Sequence, residues 1–430
     1  MAFTLCVVAL TIIALIICIV TDRRLKIGKK SIGLYCILPC VCAVILLVSG
    51  RLPFANLAEY FISDSAVNPI KILLLFLSMT VFSVLLDEAG FFTYVATQAV
   101  KRASSDQRKL FFSLFVAVSL LTVFTSNDVV ILTVTPFVIA FCNKAKCNPL
   151  PHLLLEFVTA NTWSMLLVIG NPTNIFIASA FDVSFYQYFV NMALPTLVSG
   201  VVSVGAVFLI FAKSLSTPMT ACLEDCQLKD KTLAIIAGAH LVACVVLLAI
   251  SNFISVPMWL ISTAMACVLL ICTTVYLAFT RKPFAALKSS LKRLPYEVIP
   301  FVVGMFAIVL ALSLEGVTEK IHAFLQSFDG VFAYGIGTAL ASNLINNIPA
   351  SVLFTEVLKG TADISAVYAT IMGSNIGAYV TPIGALAGIM WHNILSHNGV
   401  KLSFGRFCVY GVVVAVPTLL LGLLTIYFVV

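Results

Sequence analysis

Thr125-Ser126-Asn127-Asp128 is a polar tetrad set between two apolar runs, Leu110 to Phe124 and Val129 to Phe141. If those runs lie in a bilayer, the acid sits where ionisation is expensive, and an intramembrane carboxylate points to a solute, ion or proton path. The competing reading is a short loop in which Asp128 caps the helix that follows. Three further breaks share this character: Gly170-Asn171-Pro172-Thr173-Asn174, Asn346-Asn347-Ile348-Pro349, and Gly373-Ser374-Asn375 followed by Thr381-Pro382. Glycine and proline unwind helices. In a membrane, unwound backbone is tolerated only where protein buries it or where it lines a cavity. A broken helix offers free N–H groups at one terminus and free carbonyls at the other, so one site can hold a polar solute or anion together with a cation. The expected site is therefore Ser126, Asn127, Asp128, Gly170, Asn171, Pro172, Thr173, Asn174, Asn346, Asn347, Gly373, Ser374, Asn375 and Thr381, with Asp128 as the proton carrier.

Other acids are placed less favourably. Glu156 falls near the start of its apolar run, where capping or solvation competes with a relay role, and Asp87 and Glu88 sit at a helix end that reads as interfacial. No Lys or Arg lies inside an expected span, which weighs against a polyanionic substrate without removing it, because helix dipoles also supply positive potential.

Composition requires the membrane setting. Of 430 residues 61% are hydrophobic and 10% charged, against roughly 25% charged in soluble domains. A span needs roughly 20 apolar residues to cross about 30 Å of hydrocarbon. The fold class expected is an all-α polytopic membrane protein. There is no GxxxxGK[ST] motif, and the polar connections near 213–231 and 280–296 are too short to fold as a nucleotide-binding domain, so ATP-driven transport within this chain and an enzymatic role are not expected. The 13 cysteines lie mostly in apolar runs and behave there as small hydrophobes, not a disulfide framework. Cys36 and Cys40, four apart, should share a helical face with Cys42 pointing away, and Cys222 and Cys226 share a loop. No metal and no cofactor are expected; the coupling ion is H+ or Na+.

Lys and Arg fix the orientation. Arg23, Arg24, Lys26, Lys29 and Lys30 follow the first run, Phe3 to Val20, and place its start outside. Ten crossings and two re-entrant hairpins leave only Arg51, Lys71, Lys320 and Lys359 of the 25 Lys and Arg at the outer side. That asymmetry explains the net charge of +7 without nucleic acid, and it puts both termini outside a plasma membrane. The plan divides into N-terminal spans (1–69), a first repeat (70–212), linking spans with basic loops (213–296) and a second repeat (297–430). The first repeat holds a hairpin at 110–141, with arms of only 13 to 15 residues, and a broken helix at 152–180. The second holds a hairpin at 332–358 and a broken helix at 364–395. With opposite orientation the two form an inverted repeat, the architecture of secondary transporters.

Particular residues also carry a family resemblance. Leu85-Leu86-Asp87-Glu88-Ala89-Gly90-Phe91-Phe92, Ser126-Asn127-Asp128 with Thr135-Pro136-Phe137-Val138-Ile139-Ala140, Asn346-Asn347-Ile348-Pro349 and Thr381-Pro382-Ile383-Gly384-Ala385-Leu386-Ala387 resemble the arsenite efflux permeases of the ion transporter superfamily. The resemblance spans nearly the whole chain. It implies an elevator-type fold and export of trivalent arsenic or antimony hydroxide in exchange for protons. Gly373-Ser374-Asn375 departs from it, since such permeases commonly carry an acid there after Gly-Cys; this removes one proton carrier and shifts weight to Asp128. Gly170-Asn171-Pro172-Thr173-Asn174 instead resembles the Gly-Thr-Pro-Pro-Asn element of sodium-coupled dicarboxylate carriers and keeps a carboxylate solute, or sodium–proton exchange, as the alternative. The expected partners are the lipid bilayer and a small inorganic or carboxylate solute, with a homodimer and a soluble ATPase subunit as further candidates.

Overall fold

The computed structural model describes residues 1–21, 23–27, 30–64, 68–103, 105–220, 227–359 and 363–430; the Cys222/Cys226 pair lies outside them. The first apolar run forms α1 (Ala2–Val20). The basic stretch after it is a two-stranded antiparallel ribbon, β1 (Arg24–Ile27) and β2 (Lys30–Gly33), with Leu25 opposite Ile32. This small ribbon is the one sheet among the described residues of an otherwise helical chain. Glu297 anchors it by accepting from Arg24 Nη2, the Gly33 amide and the Tyr35 hydroxyl. A 3₁₀ turn, Leu34–Cys36, precedes α2 (Leu38–Val48). Cys36 therefore sits in the turn and does not share a helical face with Cys40. Each thiol donates to a separate carbonyl, Cys36 to Gly33 and Cys40 to Pro300.

The remaining helices follow in order: α3 (Phe54–Ile62), α4 (Pro69–Glu88), α5 (Phe91–Ala103), α6 (Gln107–Phe124), α7 (Asn127–Ala145), α8 (Leu150–Trp163), α9 (Pro172–Ala180), α10 (Phe185–Phe211), α11 (Lys231–Ala249), α12 (Met258–Phe279), α13 (Ala285–Arg293), α14 (Val298–Leu314), α15 (Val317–Leu325), α16 (Gly330–Ile345), α17 (Asn347–Leu358), α18 (Ile364–Gly377), α19 (Leu386–His397) and α20 (Phe404–Val429). Among the described residues eight helices are long and apolar enough to cross a membrane. The sequence α4 to α10 (span, short helix, hairpin, broken helix, span) recurs as α14 to α20. The halves also interlock reciprocally: α7 of the first hairpin packs on α19, and α17 of the second packs on α9, while α10 and α20 run against each other.

The arms of the first hairpin are 18 and 19 residues, about 27 Å each at 1.5 Å per residue, longer than the apolar runs alone suggest. Length would allow each to cross. Their outer ends are nevertheless tied to one segment: Gln107 Nε2 donates to the Thr217 carbonyl (2.8 Å), Met219 N to Ser105 O and Thr220 N to Ala145 O. Both ends therefore lie on the same side, a geometry common to a re-entrant hairpin and a pair of full crossings.

The breaks fall elsewhere than glycine content suggests. In the first broken helix the irregular stretch runs from Ser164 to Asn171, and Pro172, Thr173 and Asn174 already form the opening turn of α9. Proline there is at the first helical position, where its missing N–H costs nothing. In the second, Gly373-Ser374-Asn375-Ile376-Gly377 is helical, and the chain unwinds only between Gly377 and Leu386, through Thr381-Pro382-Ile383-Gly384. The two glycines serve packing instead. A Cβ on Gly373 would lie 2.1 Å from Gly335 O, and one on Gly377 would lie 2.8 Å from Ala339 Cα and O. Together they form the small-residue seam that lets two helices approach in a membrane.

Candidate functional site

The tip of the first hairpin is two residues long. Thr125 ends α6 and Ser126 is the N-cap of α7, so Asp128 lies inside the first helical turn and is not the cap. Ser126 N donates to Ser83 Oγ on α4, and Asn127 Nδ2 donates to Asn161 Oδ1 on α8 at 3.2 Å. The Asp128 carboxylate is half-buried and makes no hydrogen bond or ion pair among the described residues. A carboxylate near a helix N-terminus is favoured by the dipole, and this one keeps its oxygens free.

A second cluster joins the halves. Asn375 Oδ1, on α18, accepts from Ser164 Oγ at 3.0 Å and from Asn171 Nδ2 at 2.8 Å, while its Nδ2 donates to Asn174 Oδ1 at 2.7 Å and to Ile371 O at 2.8 Å. Asn174 in turn donates to Ser164 O, and Ser374 Oγ to Thr173 Oγ1. Asn375 thus uses both amide hydrogens and both lone pairs within the protein. Ser164, Thr173, Asn174, Ser374 and Asn375 are fully buried. The cluster holds the first break to α18, and its saturation makes it a scaffold more than an open ligand shell. Asn375→Ala should orphan Asn171 Nδ2 and Asn174 Oδ1, at about 1–3 kcal/mol for each buried partner left unpaired. The expected result is a clear fall in thermal midpoint in detergent, with a smaller one for Ser374→Ala.

The second hairpin tip docks on the second break. Asn346 Nδ2 donates to Ile383 O at 3.1 Å and Asn347 N to Gly384 O at 2.9 Å, while Thr381 Oγ1 donates to Asn343 Oδ1 at 2.8 Å. Asn346 holds φ 76° and ψ 153°, a strained conformation for a residue with a side chain. Gly170 is buried against Ser164, with room for no Cβ. Of the expected residues, Asn171, Thr173, Asn174, Ser374 and Asn375 meet directly. Asn127 reaches this group through Asn161 and Ser164, and Asn346, Asn347 and Thr381 form a separate knot. Ser126 and Asp128 join neither.

Ser126 instead lines a narrow cleft with room for about one water molecule, walled by Phe76, Met79, Thr80, Ser83, Phe124, Thr125, Ile169 and Pro172. A larger recess of about 300 Å³ lies between Lys71, Asp182, Asn252 and Trp259, away from the polar breaks. Among the described residues no Lys or Arg is buried, so the polar interior is made of amides, hydroxyls, backbone, acids and the His152 imidazole. Glu156 lies in the second turn of α8, is fully buried, and accepts from Thr135 Oγ1 at 2.9 and 3.0 Å, so of the roles in competition the solvated and capping ones fall away. Asp87 and Glu88 are clamped by Arg293, and Ser289 donates to Glu88 at 2.7 Å, as interfacial acids should be. Asn161 and Ser164 escaped the sequence reading, although polar residues on an apolar helix just before a break were the signal that could have found them.

The citrate transporter (CitMHS) family profile matches residues 7–369. An arsenical pump membrane protein of Yersinia enterocolitica is 26% identical over 429 residues, covering 96% of each chain. A putative arsenical pump membrane protein of Bacillus subtilis is 24% identical, over 90% of this chain and 92% of its own. The crystal structure of the Alcanivorax borkumensis YdaH transporter, described as having an unusual topology, superposes with a TM-score of 0.56 at 15% identity, covering 99% of this chain and 97% of that one. The two relatives match this chain over nearly their whole length, and the solved transporter structure shares its fold.

Proposed function

The chain belongs to the CitMHS, citrate transporter, family, and on that premise we propose that this membrane transporter exports arsenite and antimonite in exchange for protons by alternating access. The observation that carries the reading is the make-up of the polar interior: neutral donors and acceptors, two membrane acids in Asp128 and Glu156, and no buried cation among the described residues. Arsenous acid is neutral at pH 7 and asks for such a lining, whereas a tricarboxylate brings negative charges that need counter-charge. The full-length relatives named as arsenical pumps support the same choice. Asp128 is the coupling acid in this proposal, and Ser126 and Asn127 at the hairpin tip form the solute side.

A sodium- or proton-coupled carboxylate carrier is the second reading, favoured by the family's description and by the positive dipole end of α9 behind Asn171. Both termini lie outside a plasma membrane in this proposal, a homodimer is the working assembly, and a soluble ATPase subunit is a candidate partner for the basic loops. Inverted vesicles holding the purified protein should accumulate arsenite when a pH gradient is imposed and should not do so for citrate. Sodium-driven citrate uptake with no arsenite accumulation would replace the first reading by the second.

A further inference from the structure

The loop joining the first hairpin to the first broken helix holds a side-chain cluster apart from the polar breaks. α7 stops at Ala145, and Lys146 takes the left-handed conformation (φ 53°) as its C-cap. The following amide, Cys147 N, returns to Cys142 O at 3.0 Å, so the backbone folds Cys147 back under Cys142. Asn148 then caps Leu150 N through its Oδ1 at 3.1 Å, and α8 starts with His152 in its first turn. Sequence positions five apart are thereby brought together: Cys142 Sγ, Cys147 Sγ and one ring nitrogen of His152 all lie within 4.8 Å of one another.

Two observations separate this cluster from buried cysteines elsewhere. Cys142 and His152 are fully buried, and neither Nδ1 nor Nε2 of His152 has a hydrogen-bond partner. A buried imidazole normally satisfies at least one nitrogen; here the Phe111 ring covers one side, at 6.4 Å between centroids, and the thiols occupy the other. Cys147 is partly exposed, which gives solutes an entry path.

We propose that Cys142, Cys147 and His152 bind a thiophilic divalent metal ion of the zinc class. Two thiolates and one imidazole are a donor set for such ions, with a fourth position left for water. Tetrahedral coordination with metal–sulfur bonds near 2.3 Å puts the two sulfurs about 3.8 Å apart, so the donors need close by no more than about 1 Å. The imidazole favours a metal cation over a trivalent metalloid, which takes thiolates or hydroxide. Binding releases the two thiol protons to solvent and forms two metal–sulfur bonds and one metal–nitrogen bond, with no redox change. The ion ties the end of α7 to the start of α8, and so ties the hairpin that carries Asp128 to the helix that carries Glu156. This site goes beyond the transport reading and does not depend on it.

Cobalt(II) titration of the purified full-length protein in detergent tests it. One equivalent per chain should give thiolate-to-cobalt charge-transfer absorbance that zinc(II) then removes. Cys147→Ser, in the partly exposed loop, should abolish that band while the protein stays monodisperse. His152→Gln should weaken cobalt binding about tenfold or more, as loss of one of three protein ligands implies. Cys36→Ser should leave it unchanged. A wild-type spectrum matching that of Cys147→Ser would overturn the proposal, as would displacement of cobalt by arsenite but not by zinc, which would make the pair a dithiol trap for the metalloid.

Discussion

Asp128→Asn brings arsenite inside inverted vesicles to the external concentration and no further. One pH unit is worth about 1.36 kcal/mol per proton, so one-for-one exchange across a one-unit gradient supports up to about tenfold accumulation. The expected ratio in the variant is about 1, because an amide carries no proton through this range and the gradient loses its handle. The substitution is conservative at this place. The Asp128 carboxylate has no hydrogen-bond or ion-pair partner among the described residues, and only its backbone N–H bonds locally, to Asn127 Oδ1. Asparagine therefore orphans no partner, and the thermal midpoint should stay close to that of the wild type. Downhill arsenite equilibration should also survive, since Ser126, Asn127 and the cleft beside them are untouched.

Glu156 supplies the contrast that makes this result interpretable. Its carboxylate is fully enclosed, and both oxygens accept from the single hydroxyl of Thr135. Glu156→Gln keeps one acceptor for Thr135 and leaves an amide N–H₂ to be housed, a cost of about 1–3 kcal/mol. The variant should lose stability while keeping gradient-driven accumulation. The reverse pattern, with accumulation intact in Asp128→Asn and lost in folded Glu156→Gln, would move coupling from the hairpin tip to α8.

The architecture was legible because bilayer physics acts on long stretches. Apolar runs of span length, basic loops and the two-fold recurrence of polar breaks are properties of many residues at once, and the helix pairs that flank the breaks at 125–126 and 346 occupy 107–145 and 330–358. The breaks themselves were less legible, because glycine has two uses that a single sequence does not separate. Gly373 and Gly377 have helical backbone and are small so that α16 can approach. The true discontinuities at 164–171 and 378–385 owe as much to Ser164, Asn171 and Thr381, whose side chains bond across the structure. The Cys142, Cys147 and His152 cluster was invisible for a different reason. Its spacing resembles no metal motif, and only the left-handed turn at Lys146 brings the three together.

That packing role makes Gly373→Ala the most damaging small substitution in the second half. The added methyl would stand 2.1 Å from Gly335 O and 3.1 Å from Thr338 Cβ, and the first obstacle is a helical backbone carbonyl that has no rotamer to change. α16 and α18 must separate by about 1 Å, and overpacking of this kind costs about 1–3 kcal/mol, occasionally more. In lipid the loss is not offset elsewhere, because helix association there rests on close van der Waals contact with little hydrophobic drive. Gly238→Ala on α11 is the control: nothing lies within 4 Å of its added carbon, so the better helix former should be neutral or stabilising by up to about 1 kcal/mol. The expected result is a marked drop in monodisperse Gly373→Ala protein on heating, with Gly238→Ala at or above the wild type. Transport should fall even at temperatures where Gly373→Ala stays folded. Asn375 lies two residues further along α18, and moving that helix by 1 Å stretches its 2.8 Å bond to Asn171 and its 2.7 Å bond to Asn174 past hydrogen-bonding range. The seam between two helices of the second repeat thus sets the shape of the break in the first, and a methyl group with no contact to solute or proton should act on both. Equal stability of the two variants would show instead that α16 and α18 can part without cost, and the small residues along them would need another explanation.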